Sequence, residues 1–246
     1  QDREILANIA DFEAAGARVE YRVCDVRDPG QVRQTLDAIY ARFGRLDGVV
    51  HGAGILEDKL LADKTPESFA RVFDTKVDSA FLLAQGLRAD SLKFFALFTS
   101  VAGRYGNSGQ TDYATANELL NRVACQLHAL WQGRVKVSAM NWGPWEGSRH
   151  GQGMVTPETR RKFESRGVGL VPADGGARAF LDEVLRAPLD VVEVVFGEGP
   201  WERHETDAGA WRAGTAAAAP AAAKIYALAG AMQQSRHESG ALVMAR

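Results

Sequence analysis

The sequence has only two cysteines in 246 residues, Cys24 and Cys125. Both fall in apolar-patterned segments, which predicts two buried thiols rather than a disulfide and points to a reducing, cytoplasmic setting. No apolar run approaches the ~20 residues of a membrane-crossing helix, so no membrane partner is expected. There is no surplus of positive charge: 29 Lys and Arg stand against 31 Asp and Glu, for a net charge of −2. Nucleic-acid binding therefore has no electrostatic footprint. The five histidines show no ligand spacing, and His51 reads as a packed turn residue, so no metal site is expected. No leader peptide is expected from the pattern either. The chain opens on QDREILANIADFEAAG, already a helical pattern, and without an initiator Met. This suggests a piece of a longer chain. No internal repeat occurs. What remains is 46% hydrophobic and 24% charged, ordinary for an α/β domain with a substantial core.

The most informative stretch is residues 92–121, LKFFALFTSVAGRYGNSGQTDYATANELLN. An apolar run from Leu92 to Thr99 ends on Ser100, and a glycine-rich stretch follows from Gly103 to Gln110. Tyr113 then opens a helical pattern, with Asn117 four residues on and so on the same face. This reads as buried strand, loop and helix. A hydroxyl at the strand end and a phenol at the helix start suit hydrogen bonding to a carbonyl oxygen and proton transfer to it. A hydrolase nucleophile at Ser100 is disfavoured, because TSVAG lacks the glycine two residues earlier that a nucleophile elbow needs.

The flanks repeat the alternation. Ile5, Leu6, Ile9 and Phe12 have helical spacing, and Gly16 can end that helix. Val19, Tyr21 and Val23 alternate, predicting a strand to about Cys24, with Asp25 and Val26 at its carboxyl end. Asp28 can cap the next helix and Pro29 can take its first position; Gly44 closes it. LDGVVHGAG is a short strand entering a glycine turn, His51, Gly52, Ala53 and Gly54. Thr65 and Pro66 begin a helix that carries Lys76. VKVSAMN is a strand that breaks at WGPW, so Asn141, Trp142 and Gly143 lie at its end. Trp142 and Trp145 fit core and site equally. Beyond them, 146–155 is glycine-rich, 157–164 and 173–186 read as helices, and 191–196 as a strand. Residues 213–223, AGTAAAAPAAA, read as a linker, and 224–246 as at most a weak helix.

Strands alternating with crossover helices predict a doubly wound, Rossmann-like parallel sheet, with ligands at the carboxyl ends of its strands. Asp25, Gly52 to Gly54, Ser100 and Asn141 to Gly143 all fall at such ends. Asp25 alone could simply end a strand. At this point Lys76, Ser100, Tyr113 and Asn117, successively 24, 13 and 4 residues apart, resemble the ketoreductase domains of polyketide synthases. Those domains are a branch of the short-chain dehydrogenase/reductases. Most of that superfamily carries Tyr-x-x-x-Lys; here the fourth residue is Asn117 and the lysine lies upstream, an exchange that marks the synthase type. The likeness spans about residues 1–200, and NWGPWEGSRHGQGMV is similar to reductases of iterative, polyunsaturated fatty-acid synthases.

The resemblance implies NADPH-dependent reduction of a β-ketoacyl group on an acyl carrier protein, beside neighbouring synthase domains. Tyr113 would give the proton, with Lys76 lowering its pKa. Ser100 would bind the carbonyl oxygen, and Asn117 would place Lys76 and a relay water. Asp25 and Val26 would lie by the adenine, His51 to Gly54 along the cofactor backbone, and Asn141 to Gly143 near the nicotinamide. The residues from 146 to 172 would form a lid. Leu56, Glu57 and Asp58 approximate the L-D-D stretch of D-hydroxyl-forming members, and Tyr105 stands where the opposite class has Trp. The family's first strand and glycine loop have no counterpart: no G-x-G-x-x-G occurs. The chain thus reads as an N-terminally truncated catalytic subdomain, residues 1–200, with a linker and undefined tail, 201–246. By itself it would bind the cofactor weakly or not at all and would be inactive. The rival readings are a non-catalytic reductase-like scaffold of a synthase, a free-standing dehydrogenase and a pure interaction module.

Overall fold

A computed structural model describes residues 2–147, 155–201 and 224–226. Five parallel strands form one sheet in sequential order: β1 (Gly48–His51), β2 (Phe94–Ser100), β3 (Lys136–Trp142), β4 (Glu193–Phe196) and β5 (Lys224–Tyr226). The helices are α1 (Asp2–Ala14), α2 (Pro29–Phe43), α3 (Pro66–Gly86), α4 (Val101–Tyr105), α5 (Thr111–Leu130), α6 (Pro157–Glu164) and α7 (Ala173–Leu185). The predicted parallel α/β architecture is therefore present.

Local sequence explains most boundaries. Asp28 accepts hydrogen bonds from the backbone N–H groups of Gly30 and Gln31, and Pro29 takes the first turn of α2. Gly44 ends that helix with φ 72°, a left-handed conformation that glycine adopts without a Cβ penalty. Thr65 caps α3 through the Ser68 N–H. β2 and β3 are buried on both faces, which is why they read as continuous apolar runs rather than alternating ones. Phe95, Leu97, Val137 and Ala139 face α2, α3 and α5 in one core. Ala96, Phe98, Met140 and Trp142 face the second core, with Ala179, Phe180 and Val184 of α7.

Three expectations need correction. Residues 19–24 form no assigned strand: among the described residues nothing pairs with them, and Tyr21 and Val23 are exposed. An alternating pattern supplies a side-chain face, but a strand also needs a hydrogen-bonded neighbour. Cys24 is buried as expected, whereas Cys125 is exposed on α5. It follows the buried Ala124 by one residue, a turn of ~100° that carries it off the core face. Finally, Lys224–Tyr226 is a strand paired with Val194–Phe196, not the start of a helix. The expected linker at 213–223 lies outside the described residues.

Candidate active site

The carboxyl ends of β1 and β2 and the first turns of α5 meet at one place, and Lys76 reaches it from the middle of α3. Ser100 is the last residue of β2 and also the N-cap of α4, where its Oγ accepts the Ala102 N–H at 3.2 Å. The short α4 then packs on α5. Gly103 makes this possible: a Cβ there would lie 2.8 Å from both the Asn117 Cβ and the Glu118 backbone nitrogen. The close approach brings the Ser100 and Asn117 side chains near enough to the Tyr113 phenol to act on its pKa.

Lys76 is buried, with relative exposure of 2%. Its Nζ donates to the carbonyls of Phe98, at 2.9 Å, and Ala53, at 3.2 Å. It also stands 5.9 Å from the Tyr113 ring centroid. Desolvation lowers the Lys76 pKa to about 8, from an ordinary 10.5. Asn117 is fully buried, and its Nδ2 donates to the Tyr113 carbonyl at 2.7 Å. Lys76, Ser100, Tyr113 and Asn117 thus come together from three separate segments.

The phenol departs from expectation. Its pKa is raised, chiefly by burial, against the lowering effect of the Ser100 and Asn117 hydrogen bonds; the Asp58 carboxylate raises it further. Burial outweighs the lowering influences, so the net shift is opposite to the one expected from a neighbouring lysine. Tyr113 accordingly keeps its proton at neutral pH, the state a proton donor needs.

The expected cofactor residues divide. Gly52 and Gly54 lie at the end of β1, and a Cβ at Gly52 would meet nothing within 4 Å, so the backbone is open to close approach there. Asp25 is held by Arg27, whose Nε and NH2 donate to its two oxygens at 3.1 and 3.0 Å. That contact keeps its carboxyl below the usual range. Val26 is buried. His51 is also buried, with Nε2 2.6 Å from the Ser79 Oγ; desolvation drops its pKa to about 3, so it stays neutral. It is packed, as the last residue of β1 rather than in the turn. Asn141 accepts from Asn121 at 3.1 Å and donates to the Val194 carbonyl at 3.3 Å, so its side chain serves the core. Trp142 stacks on Phe196 with centroids 4.5 Å apart and meets Trp145 at 4.7 Å, so both tryptophans pack in the second core. Gly143 donates to the Phe196 carbonyl at 2.7 Å.

A nicotinamide group fits this end of the sheet. The Asn117 Oδ1 is buried with no partner among the described residues, and Gly52 leaves its side of the turn open. Gly52, Ala53 and Gly54 would border the group, and Ser100 and Tyr113 would face its reacting end. No group of three or more His, Cys, Asp or Glu able to hold a metal occurs among the described residues.

Sequence reasoning missed several residues. Asn121 was findable: Tyr113, Asn117 and Asn121 recur every four residues along one face of α5. Lys64 and Asp112 form an ion pair of 2.6 Å between side chains only 1% and 2% exposed. No periodicity links residues so far apart in the chain.

The buried lysine has a consequence for stability. Its pKa is depressed in the folded chain, so between pH 8 and 10.5 the unfolded chain binds the extra proton and stability rises with pH. Relative to Lys76→Met, the wild type is expected to gain about 3 kcal/mol across that window. Urea unfolding of both proteins at pH 7.5 and 10.5 checks this; a constant difference between them would refute it.

The comparisons agree with this geometry. The KR domain family matches residues 1–147. A polyunsaturated fatty acid synthase polypeptide of Thraustochytrium sp. is 36% identical over 214 residues, 87% of this chain and 7% of that protein. The polyketide synthase PksN of Bacillus subtilis is 33% identical over 195 residues, 77% of this chain and 4% of its own length. The chain therefore spans a small fraction of these relatives. Among solved structures, a ketoreductase domain from the bacillaene assembly line aligns with TM-score 0.68 and 30% identity, over 81% of this chain and 47% of that one. An N-terminal ketoreductase from the macrolactin assembly line aligns with TM-score 0.68 and 25% identity, over 84% and 39%. A serine and a tyrosine at the end of a parallel sheet, backed by a buried lysine, belong to a chain that is a member of the KR domain family, the ketoreductase domains of polyketide and polyunsaturated fatty-acid synthases.

Proposed function

We propose that the chain reduces the β-keto group of an acyl chain carried as a thioester on an acyl carrier protein, with NADPH as the reductant, inside a multidomain synthase. The observation that carries this reading is the meeting of Ser100 at the end of β2 with Tyr113 in the first turn of α5, with the buried Lys76 5.9 Å from the Tyr113 ring. When bound, NADPH supplies the hydride that reaches the β-carbon. The Ser100 hydroxyl donates a hydrogen bond to the ketone oxygen and steadies the negative charge that grows there. Tyr113 gives its phenolic proton to the same oxygen, and its raised pKa keeps that proton available. The unpartnered Asn117 Oδ1 is the acceptor a water relay toward Lys76 requires. Lys76, with a pKa of about 8, is mostly charged at neutral pH and can return a proton.

The cytoplasm is the compartment this reading assigns, and neighbouring synthase domains are its direct partners. Residues 1–200 act as the catalytic part of the reductase in this reading. The lid expected at 146–172 falls partly outside the described residues, at 148–154.

We expect Tyr113→Phe, in the full-length natural polypeptide, to reduce kcat by roughly 10²–10⁴-fold. NADPH oxidation with an acetoacetyl thioester measures it. A Tyr113→Phe protein as active as the wild type would remove Tyr113 as the donor. A wild type that is folded and inert would favour the non-catalytic scaffold.

The same site bears on the product's handedness. The Asp58 carboxylate accepts from the Gln110 side chain at 2.9 Å, three residues before Tyr113. Glu57 is turned away, with its carboxylate held by Arg71 and Ser68. Of the two acidic residues, Asp58 is the one whose charge acts on the Tyr113 phenol, which favours a D-hydroxyl product in this reading. Asp58→Ala is expected to erode that preference. Chiral chromatography of the hydroxyacyl product reads it, and unchanged chirality would reduce Asp58 to a solvated loop charge.

A further inference from the structure

Tyr113 is set by more than its own helix. The first turn of α5 meets two lysines. Lys76, about three turns into α3, stands over the Tyr113 ring. Lys64, in the turn just before α3, reaches Asp112, the residue preceding Tyr113. Its Nζ lies 2.6 Å from the Asp112 Oδ2 and 2.7 Å from the Glu57 carbonyl. The other carboxylate oxygen, Oδ1, accepts the Tyr113 backbone N–H at 2.9 Å. One carboxylate thus joins the turn before α3 directly to the backbone of the tyrosine.

Three features distinguish this pair from a surface ion pair. Both side chains are almost wholly excluded from water, so neither charge has solvent as an alternative partner. The N-cap of α5, Gln110, makes no side-chain capping bond, so Asp112 in the first turn is the group that satisfies an amide there. Flanking contacts hold the same two segments together: Lys59 N–H donates to the Gly109 carbonyl at 2.9 Å, and Gln110 donates to Asp58. The helices that supply Lys76 and Tyr113 are consequently tied at their starts.

We propose that Lys64 and Asp112 are positioning residues, which fix the start of α5 against α3 and so hold the Tyr113 phenol where Ser100 and Lys76 can use it. Neither touches the reacting atoms. The proposal rests on the reductase reading for its kinetic consequence, but its geometric claim stands apart from it. Displacing a catalytic group by about 1 Å costs roughly 10²-fold in rate. Losing Lys64 leaves a carboxylate buried without its counter-ion, and the group must move or take a proton.

Three variants in the full-length natural polypeptide test this: Lys64→Met, Asp112→Leu, and the two combined. The combined variant leaves no unpaired charge at these two positions and is expected to recover much of the unfolding midpoint lost in the single variants, short of wild type by the Tyr113 N–H and Glu57 carbonyl it leaves unpaired. Its kcat for acetoacetyl thioester reduction should nevertheless stay about 10²-fold down, with the KM for NADPH unchanged. A fluorine-labelled Tyr113 should show a shifted or broadened resonance in the same variant. If kcat returns together with the unfolding midpoint, the pair is only structural and the proposal fails. It also fails if the fluorine resonance keeps its wild-type position in the combined variant. Should the wild type show no Tyr113-dependent turnover, the reductase reading falls, while the fluorine signal still decides whether the pair positions Tyr113.

Discussion

The arrangement depends on one buried ammonium. Lys76 sits among three segments: the turn after β1, the end of β2 and the start of α5. Two backbone carbonyls hold it, in place of a carboxylate. Burial without a counter-ion is unfavourable, and the pKa near 8 is its signature. Pairing between β1 and β2 stops at His51 and Leu97, so the Ala53 carbonyl, in the turn after β1, and the Phe98 carbonyl, one residue further along β2, lie just beyond that ladder. A lysine placed there keeps a proton close to neutrality, as a proton relay requires.

The chemistry follows from how the sheet ends. Ser100 is both the last residue of a strand and the cap of a short helix, so its hydroxyl is fixed rather than free. Gly103 allows that helix to press on α5, which brings phenol and hydroxyl together. Tyr113 retains its proton through burial, while Lys76 can lose its own. The two pKa values are pushed by the same physical cause in opposite directions. Two groups whose ordinary pKa values lie close together thus become a firm donor and a ready exchanger.

Much of this was legible in the sequence because it is local. The strand–loop–helix around Ser100 and Tyr113 follows from an apolar run, glycines and a helical period, and the family spacing located Lys76. What depended on neighbours was not legible. Residues 19–24 have the right alternation, but among the described residues no strand pairs with them. Asn141 stands at a strand end, where ligands bind, yet its side chain points to α5, toward Asn121. Lys64 and Asp112 are 48 residues apart in the chain, and each looks like a solvated charge until the fold encloses both. The direction of the phenol's shift was missed for the same reason. Proximity of a lysine was inferred correctly, but the burial that outweighs it is a property of the folded chain.

The most direct test of the central claim, that Ser100, Tyr113 and Lys76 form a ketone-reducing site, follows the reducing hydrogen itself. The full-length natural polypeptide is given a β-ketoacyl thioester and NADPH carrying deuterium at the transferable position. Mass spectrometry of the hydroxyacyl product then counts the label. The account predicts one deuterium on the β-carbon with the wild type and almost none with Tyr113→Phe under the same conditions. An unlabelled product, or equal labelling by both proteins, would contradict it.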